Sequence, residues 1–210
     1  MSAVGRVTFD VGLSLDGFVA GPHQSLENPL GEGGEQLHRW MFEEPEVNTA
    51  ALESVAAPTA FVMGRNMFAP GRGPWDESWR GWWGDEPPYH APVFVLTHHP
   101  REPLVMEGGT TFFFVTDGIE SALSQALAAS RDGHVGIAGG ASTMRAYLAA
   151  GLVDEFGLHV APVLLGAGER LFDGLGGLRV EPGPVSSNHL VTHLSYRVVR
   201  ELVGERRVLD

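Results

Sequence analysis

Asp132-Gly133-His134-Val135-Gly136-Ile137-Ala138-Gly139-Gly140-Ala141-Ser142-Thr143-Met144-Arg145-Ala146-Tyr147-Leu148 runs from an apolar stretch through a glycine pair into helical spacing. Residues 135–138 read as a short strand. Met144, Tyr147, Leu148 and Leu152 then recur at the three- and four-residue intervals of a helix with one apolar face. A strand that breaks on two glycines and opens a helix leaves backbone N–H groups unpaired at the helix N-terminus, with no Cβ to keep a ligand away. Gly139 and Gly140 permit backbone shapes closed to other residues, and Ala141, Ser142 and Thr143 follow with small or hydroxyl-bearing side chains. The corner is a candidate anion cradle. A plain strand-to-helix turn also asks for small residues, so the reading needs support from the rest of the chain.

Composition narrows the field. A chain of 210 residues can bury one good core, and a single domain over 1–210 is expected. No apolar run approaches the ~20 residues that span a bilayer, and the first ten residues lack the basic-then-apolar order of an export signal. The expectation is a soluble cytoplasmic protein that makes no use of a membrane. There is no cysteine, which removes disulfides, thiolate nucleophiles and cysteine-held metal clusters. Nor is there a lysine; all 14 basic residues are arginine, which excludes a lysine Schiff base and the phosphate-binding lysine of a P-loop. A formal charge of −12 disfavours nucleic acid as a partner.

Taken in order, residues 7–15 read as a strand, Asp16-Gly17 as a turn, and Phe18-Val19-Ala20 as a short apolar continuation ended by Gly21-Pro22. Residues 35–42 predict a short helix with Leu37, Trp40 and Met41 on one face, and 46–57 a second with Val47, Ala51, Leu52 and Val55. Residues 60–63 predict a strand opening on Gly64-Arg65-Asn66. The long irregular segment 70–92 carries Trp75, Trp79, Trp82, Trp83 and Tyr89, which must be covered by the body, a ligand or a second subunit. Residues 92–96 predict a strand closing on Thr97-His98-His99, and 110–115 another. A helix over 118–130 follows, with Asp117 as its N-cap. Beyond the opening stretch come an expected strand over 155–165, a glycine loop at 166–168, and a closing strand over 189–200.

Strands alternating with helices predict an α/β sandwich with a mostly parallel sheet, in which ligands bind beyond the carboxyl ends of the strands. Gly64-Arg65-Asn66, Thr97-His98-His99 and Gly139-Gly140-Ala141-Ser142-Thr143 would then share one edge and could hold a polyphosphate together.

The ordered set Leu13-Ser14-Leu15-Asp16-Gly17-Phe18-Val19-Ala20, Val62-Met63-Gly64-Arg65, residues 93–100, Gly139-Gly140-Ala141-Ser142 and Ala161-Pro162-Val163-Leu164-Leu165-Gly166 resembles the dihydrofolate-reductase-like superfamily. The branch it resembles is that of the reductase domain of riboflavin biosynthesis. The fold this resemblance implies is α/β, a three-layer sandwich with a mostly parallel central sheet flanked by helices and an antiparallel C-terminal strand. The cofactor it implies is NADPH. By analogy Arg65, with Thr97 and His98, meets the 2′-phosphate. N–H groups of Gly140, Ala141, Ser142 and Thr143, and those near Gly64 and Asn66, hold the pyrophosphate, and main-chain groups of Gly12 and Val19 hold the carboxamide. A cis Gly139–Gly140 peptide is a further implication. Dihydrofolate reductases also place a carboxylate on the helix after the first strand, where this chain has Gln36, so dihydrofolate itself is not the expected substrate.

The resulting expectation is a reductase passing hydride to a C=N or C=O bond of a small pteridine- or pyrimidine-like molecule, with an NADP-binding module lacking turnover as the alternative. Phe18, Leu37, Trp40 and Leu164 are candidate walls of the substrate pocket, and Asp16 is the candidate proton donor beside Glu43 or water. His98-His99 and His189-x-x-x-His193 are the only spacings suggestive of a metal, and neither matches a helical zinc motif, so no metal site is expected. A homodimer is expected, because relatives in the superfamily often pair.

Overall fold

The computed structural model describes residues 5–71 and 73–199. Along the chain run β1 (Arg6–Ser14), β2 (Phe18–Ala20), α1 (Arg39–Glu43), α2 (Thr49–Ala56), β3 (Ala60–Gly64), α3 (Arg65–Phe68), β4 (Pro92–Leu96), β5 (Leu104–Val105), β6 (Thr111–Val115), α4 (Ile119–Ala129), β7 (His134–Gly139), α5 (Ala141–Ala149), β8 (Glu155–Ala161), β9 (Glu169–Arg170), β10 (Val180–Ser187) and β11 (Thr192–Val198). One nine-stranded sheet has the order β10-β11-β8-β1-β7-β3-β4-β6-β5, and β2 pairs with β9 in a separate two-stranded ribbon. The run from β8 to β6 is parallel throughout, while β11, β10 and β5 are antiparallel to their neighbours. The fold is the α/β sandwich with a mostly parallel sheet that the alternation predicts.

Both faces of the parallel strands are covered, which is why β3 is apolar and buried along its whole length. On one face Val7, Phe9, Val62, Phe94, Val135 and Ile137 meet α4 and α5 through Ala122, Leu123, Ala126, Met144 and Leu148. Tyr147 is buried there too, and its phenol donates to Ile119 O at 2.6 Å, which spares it an unpaired polar atom. On the opposite face Phe61, Met63, Val93 and Val95 pack with Phe68, Phe112 and the tryptophan-rich segment.

That segment is covered by its own chain. Trp75 packs against Phe68 and Phe114, and Trp83 against Tyr89 and Phe112. Indole N–H groups of Trp75, Trp79 and Trp82 donate to the carbonyls of His99, Phe68 and Met67. The aromatic content of residues 70–92 therefore gives no reason to invoke a second subunit.

Several boundaries differ from the sequence reading, each for a local reason. The strand expected over 155–165 ends at Ala161, where Pro162 removes the next ladder N–H. β10 was hidden by Pro182 and Pro184, which a sheet edge tolerates; it pairs on one side only and is exposed along its length. α4 begins after Gly118, whose φ of 91° suits glycine, and Asp117 makes no capping bond. The helix expected over 35–42 is a 3₁₀ turn (Gly34–His38) leading into α1. Among the described residues no helix is long and apolar enough to cross a membrane.

Candidate active site

A cleft of about 1110 Å³ lies on the sheet face opposite α4 and α5. Gly12 from β1 and Gly136 and Ala138 from β7 line it, and the two glycines make room for packed neighbours: a Cβ on Gly12 would lie 3.0 Å from Leu37 O, and one on Gly136 would lie 2.8 Å from Phe61 and Pro58. The segment containing α1 and α2 walls one side, where Leu52 and Val55 line the cleft. Part of the apolar stripe of residues 46–57 thus faces the cleft, and no residue of α2 is fully buried.

Because β7, β3 and β4 are adjacent and parallel, their carboxyl ends converge. Met63 is in register with Gly139, and a Cβ on Gly64 would stand 2.3 Å from Thr143 Oγ1 and 3.6 Å from Gly140 N. Only glycine allows the first turn of α5 to sit this close to the end of β3. The Gly139–Gly140 peptide is cis. Gly140 is the N-cap of α5, and a Cβ there would meet nothing within 4 Å, so the corner is open toward the cleft.

Arg65 stands on the next turn. Its guanidinium lies 4.1 Å over the Trp75 ring, Nη1 donates to Gly73 O at 2.5 Å, and the buried Nε has no partner. Burial lowers its pKa from the ordinary arginine value. Thr97 is buried, and its hydroxyl accepts from His99 N at 3.0 Å, which shapes the turn that leaves His98 exposed at the rim.

Gly12, Val19, Gly64, Arg65, Asn66, Thr97, His98, Gly139, Gly140, Ala141, Ser142 and Thr143 all line this one cleft, and Trp40 lines it as well. Four candidates do not. Leu164 is 73% exposed, Leu37 is fully buried, and Phe18 lies under the Arg170 guanidinium, 4.9 Å away. Asp16 braces a turn: its carboxylate accepts from Ser14 Oγ at 2.6 Å, Gly166 N at 2.7 Å and Leu165 N at 3.1 Å. The Ser14 hydroxyl, followed by the Gly166 and Leu165 amides, outweighs the opposing effect of burial and pulls its pKa down to about 2. That carboxylate is ionised at neutral pH, and its oxygens are engaged away from the cleft.

Asp10, His38 and His159 are titratable groups that do line the cleft. Asp10 Oδ1 is 3.3 Å from His159 Nε2, and its other oxygen accepts from Ser54 Oγ at 3.1 Å. Gly157 faces Asp10 across the β1–β8 ladder; a Cβ there would lie 2.0 Å from Asp10 Oδ1, so the glycine makes room for the carboxylate. His159 continues to His193 and thence to Asn48, and Trp40 packs on both imidazoles at 4.6 and 4.9 Å. Burial, then repulsion from His159, lowers the His38 pKa. Sequence reading passed over this group. The available signal was a carboxylate in the middle of an otherwise apolar strand, at Asp10, which only the placement of β8 beside β1 connects to a histidine far along the chain. Among the described residues no three His, Asp or Glu side chains are grouped to hold a metal ion.

A profile of the RibD C-terminal domain matches residues 6–195. The chain belongs to the RibD C-terminal domain family. This family member is 24% identical over 178 residues to the uncharacterized protein YyaP of Bacillus subtilis (strain 168), covering 80% of each chain. Among solved structures it is similar to a Shewanella sp. PV-4 protein named for riboflavin biosynthesis, with a TM-score of 0.67, 24% identity, and 93% of this chain and 99% of that one covered. It is also similar to the dihydrofolate reductase of Enterococcus faecalis, solved with NADP(H), at a TM-score of 0.52, 15% identity, and coverage of 93% and 97%. The superfamily resemblance drawn from the ordered motifs therefore holds, and the RibD C-terminal fold is the dihydrofolate-reductase-like one.

Proposed function

We propose that this protein is an NADPH-dependent reductase that delivers hydride to a C=N or C=O bond of a small, unphosphorylated pteridine- or pyrimidine-like substrate. The observation that carries the reading is the meeting of Gly64 and Arg65 with the Gly139–Gly140 corner at one end of the cleft. The residues suit a phosphorylated dinucleotide. Arg65 is a partly desolvated cation whose buried Nε has no partner, and the open position at Gly140 leaves the first amides of α5 approachable. In this reading Arg65, Thr97 and His98 meet the 2′-phosphate. The amides of Ala141, Ser142 and Thr143, with those of Gly64 and Asn66, hold the pyrophosphate, and main-chain groups of Gly12 and Val19 orient the carboxamide. The bound dinucleotide supplies the hydride; the protein supplies position and a dry pocket, with donor and acceptor carbons held ~3–3.5 Å apart.

The rest of the lining supports the substrate class. Trp40, Met41, Leu52 and Val55 offer apolar surface for a flat ring. Among the described lining residues the only arginine is Arg65, and the sequence has no lysine, so the substrate half has no strong cation for a phosphate group. Absorbance of NADPH, followed with a panel of pterins, pyrimidines and their ribityl phosphates, tests this. Oxidation with an unphosphorylated heterocycle is expected. Tight NADPH binding with no oxidation by any of them would reduce the protein to a binding module, and preference for a ribityl phosphate would overturn the substrate class.

A further inference from the structure

A chain of polar side chains runs beneath the cleft, and its far end dictates where the protons are. The Asn48 amide nitrogen donates to two main-chain carbonyls, Trp40 O at 3.1 Å and Glu44 O at 2.7 Å. Both of its protons are used, so Asn48 Oδ1 can only accept. It accepts from Asn188 Nδ2 at 2.8 Å, and Asn188 is itself oriented by the amides of Leu190 and Val191, which donate to its oxygen. His193 Nε2, 2.9 Å from the same Asn48 oxygen, must therefore carry hydrogen. Burial, followed by the influence of His159, pulls the His193 pKa down to about 4, so the ring is neutral near pH 7 and its Nδ1 is a bare lone pair. His159 Nδ1, 2.8 Å away, is the donor in that contact.

The remaining nitrogen of His159 then faces Asp10. His159 Nε2 is buried, lies 3.3 Å from Asp10 Oδ1 and has no hydrogen-bond partner. A neutral His159 already protonated on Nδ1 would set a nitrogen lone pair against a carboxylate oxygen. The contact is an ion-pair approach, not an aligned hydrogen bond, and it is favourable only with a second proton on the pair, held as an imidazolium–carboxylate pair or as a carboxylic acid beside a neutral ring. Both side chains border the cleft. The other titratable groups packed around them are His38 from the 3₁₀ turn, His134 from β7 and His193 from β11; burial, as the leading cause, lowers the pKa of each. α2 contributes the uncharged Ser54.

We propose that the proton shared by Asp10 and His159 is the one delivered to the substrate during reduction, with His193 and Asn48 as positioning residues that fix the His159 tautomer. This rests on the reductase reading above. The acceptor carbon of a C=N bond takes hydride from the reduced nicotinamide, the π pair moves to nitrogen, and that nitrogen takes the shared proton. The substrate gains two electrons and two hydrogens, the nicotinamide is oxidised by two electrons, and Asp10 and His159 stand one proton short until solvent restores it.

The test has a readout independent of turnover. In protein labelled with ¹⁵N-histidine, without dinucleotide, His159 should show a protonated Nδ1 at neutral pH, and Asp10→Asn should shift its Nε2 resonance. In steady state, Asp10→Asn and His159→Gln should keep NADPH affinity within about twofold and lower kcat by roughly 10²- to 10⁴-fold. The pH profile of kcat should differ between wild type and Asp10→Asn, and His193→Gln should alter that profile with a smaller loss of kcat. Should His159→Gln fail to fold, the near-isosteric Asp10→Asn carries the test. A wild type that turns over beside an equally fast Asp10→Asn overturns the proposal and leaves the reductase reading standing. A wild type that binds NADPH but reduces no heterocycle overturns both, and a bare Nδ1 on His159 overturns the proton placement by itself.

Discussion

Arg65→Ala removes a guanidinium that lies over Trp75 at 4.1 Å, donates to Gly73 O at 2.5 Å and to Pro74 O at 3.4 Å, and keeps a buried Nε without a partner. Among the described residues no carboxylate neutralises it, so part of the cost of desolvating this cation is already met by the fold. Two charge-assisted hydrogen bonds to a 2′-phosphate would contribute about 1.5–3 kcal/mol each. Arg65 is only partly buried, and solvent screening brings the expected total to about 2–3 kcal/mol. At 1.4 kcal/mol per tenfold, the Kd for NADPH should rise about 30- to 150-fold. NADH lacks that phosphate and should weaken by less than about threefold, so the ratio of the two affinities carries the result. Loss of the Trp75 and Gly73 contacts should also lower stability by about 1–2 kcal/mol, visible as a reduced Tm. Both dinucleotides can be titrated by quenching of tryptophan fluorescence, since Trp82 and Trp83 border the cleft. Equal weakening of NADPH and NADH would refute the reasoning, because it would show that Arg65 acts by bracing the loop it touches at Gly73 and Pro74.

Gly140→Ala separates folding from binding: its Cβ meets no protein atom within 4 Å, so Tm should hold to within about 0.5 kcal/mol of stability while dinucleotide affinity falls at least about tenfold. Parallel melts and titrations check this, and a melt that falls with unchanged affinity would contradict it. Asp16 has a folded-state pKa of about 2, below its reference value of 3.8, so its stabilising effect is present above the reference value and lost as pH falls through the folded one. The Tm gap between wild type and Asp16→Asn should therefore be full at neutral pH and close between pH values of about 4 and 2. His193, depressed from 6.5 to about 4, favours the neutral native ring; its contribution is complete above the reference value and lost as pH falls toward the folded one. Thermal melts across that window should show wild type losing more stability on acidification than His193→Gln, and superimposable acid slopes would contradict the placement of the bare Nδ1.

Much of the candidate cofactor end was legible as a cluster of strand ends because its determinants are local. Gly139-Gly140 marks a strand turning into a helix, Gly64-Arg65 marks another, and a parallel sheet brings such ends together whatever the loop lengths between them. The Asp10–His159 end proposed to deliver the proton was not legible for the complementary reason. Asp10, Gly157 and Ser195 lie across neighbouring strands, as do Gly12, His159 and His193, and these registers bring β1 beside segments far along the chain. The nearer acid, Asp16, sits in a conspicuous Asp-Gly turn and drew the role of proton donor. Its turn position is also what commits its oxygens to Ser14, Leu165 and Gly166. β10 escaped notice because prolines suppress a strand pattern that a sheet edge can nevertheless accept.

The most direct measurement is a crystal structure of the protein with NADPH. The pyrophosphate is predicted on the amides of Ala141, Ser142 and Thr143, with the 2′-phosphate against Arg65 and the nicotinamide over Gly12, within reach of Asp10 and His159. A dinucleotide bound outside the cleft, or lying in it with the adenosine end over Gly12, would contradict the account.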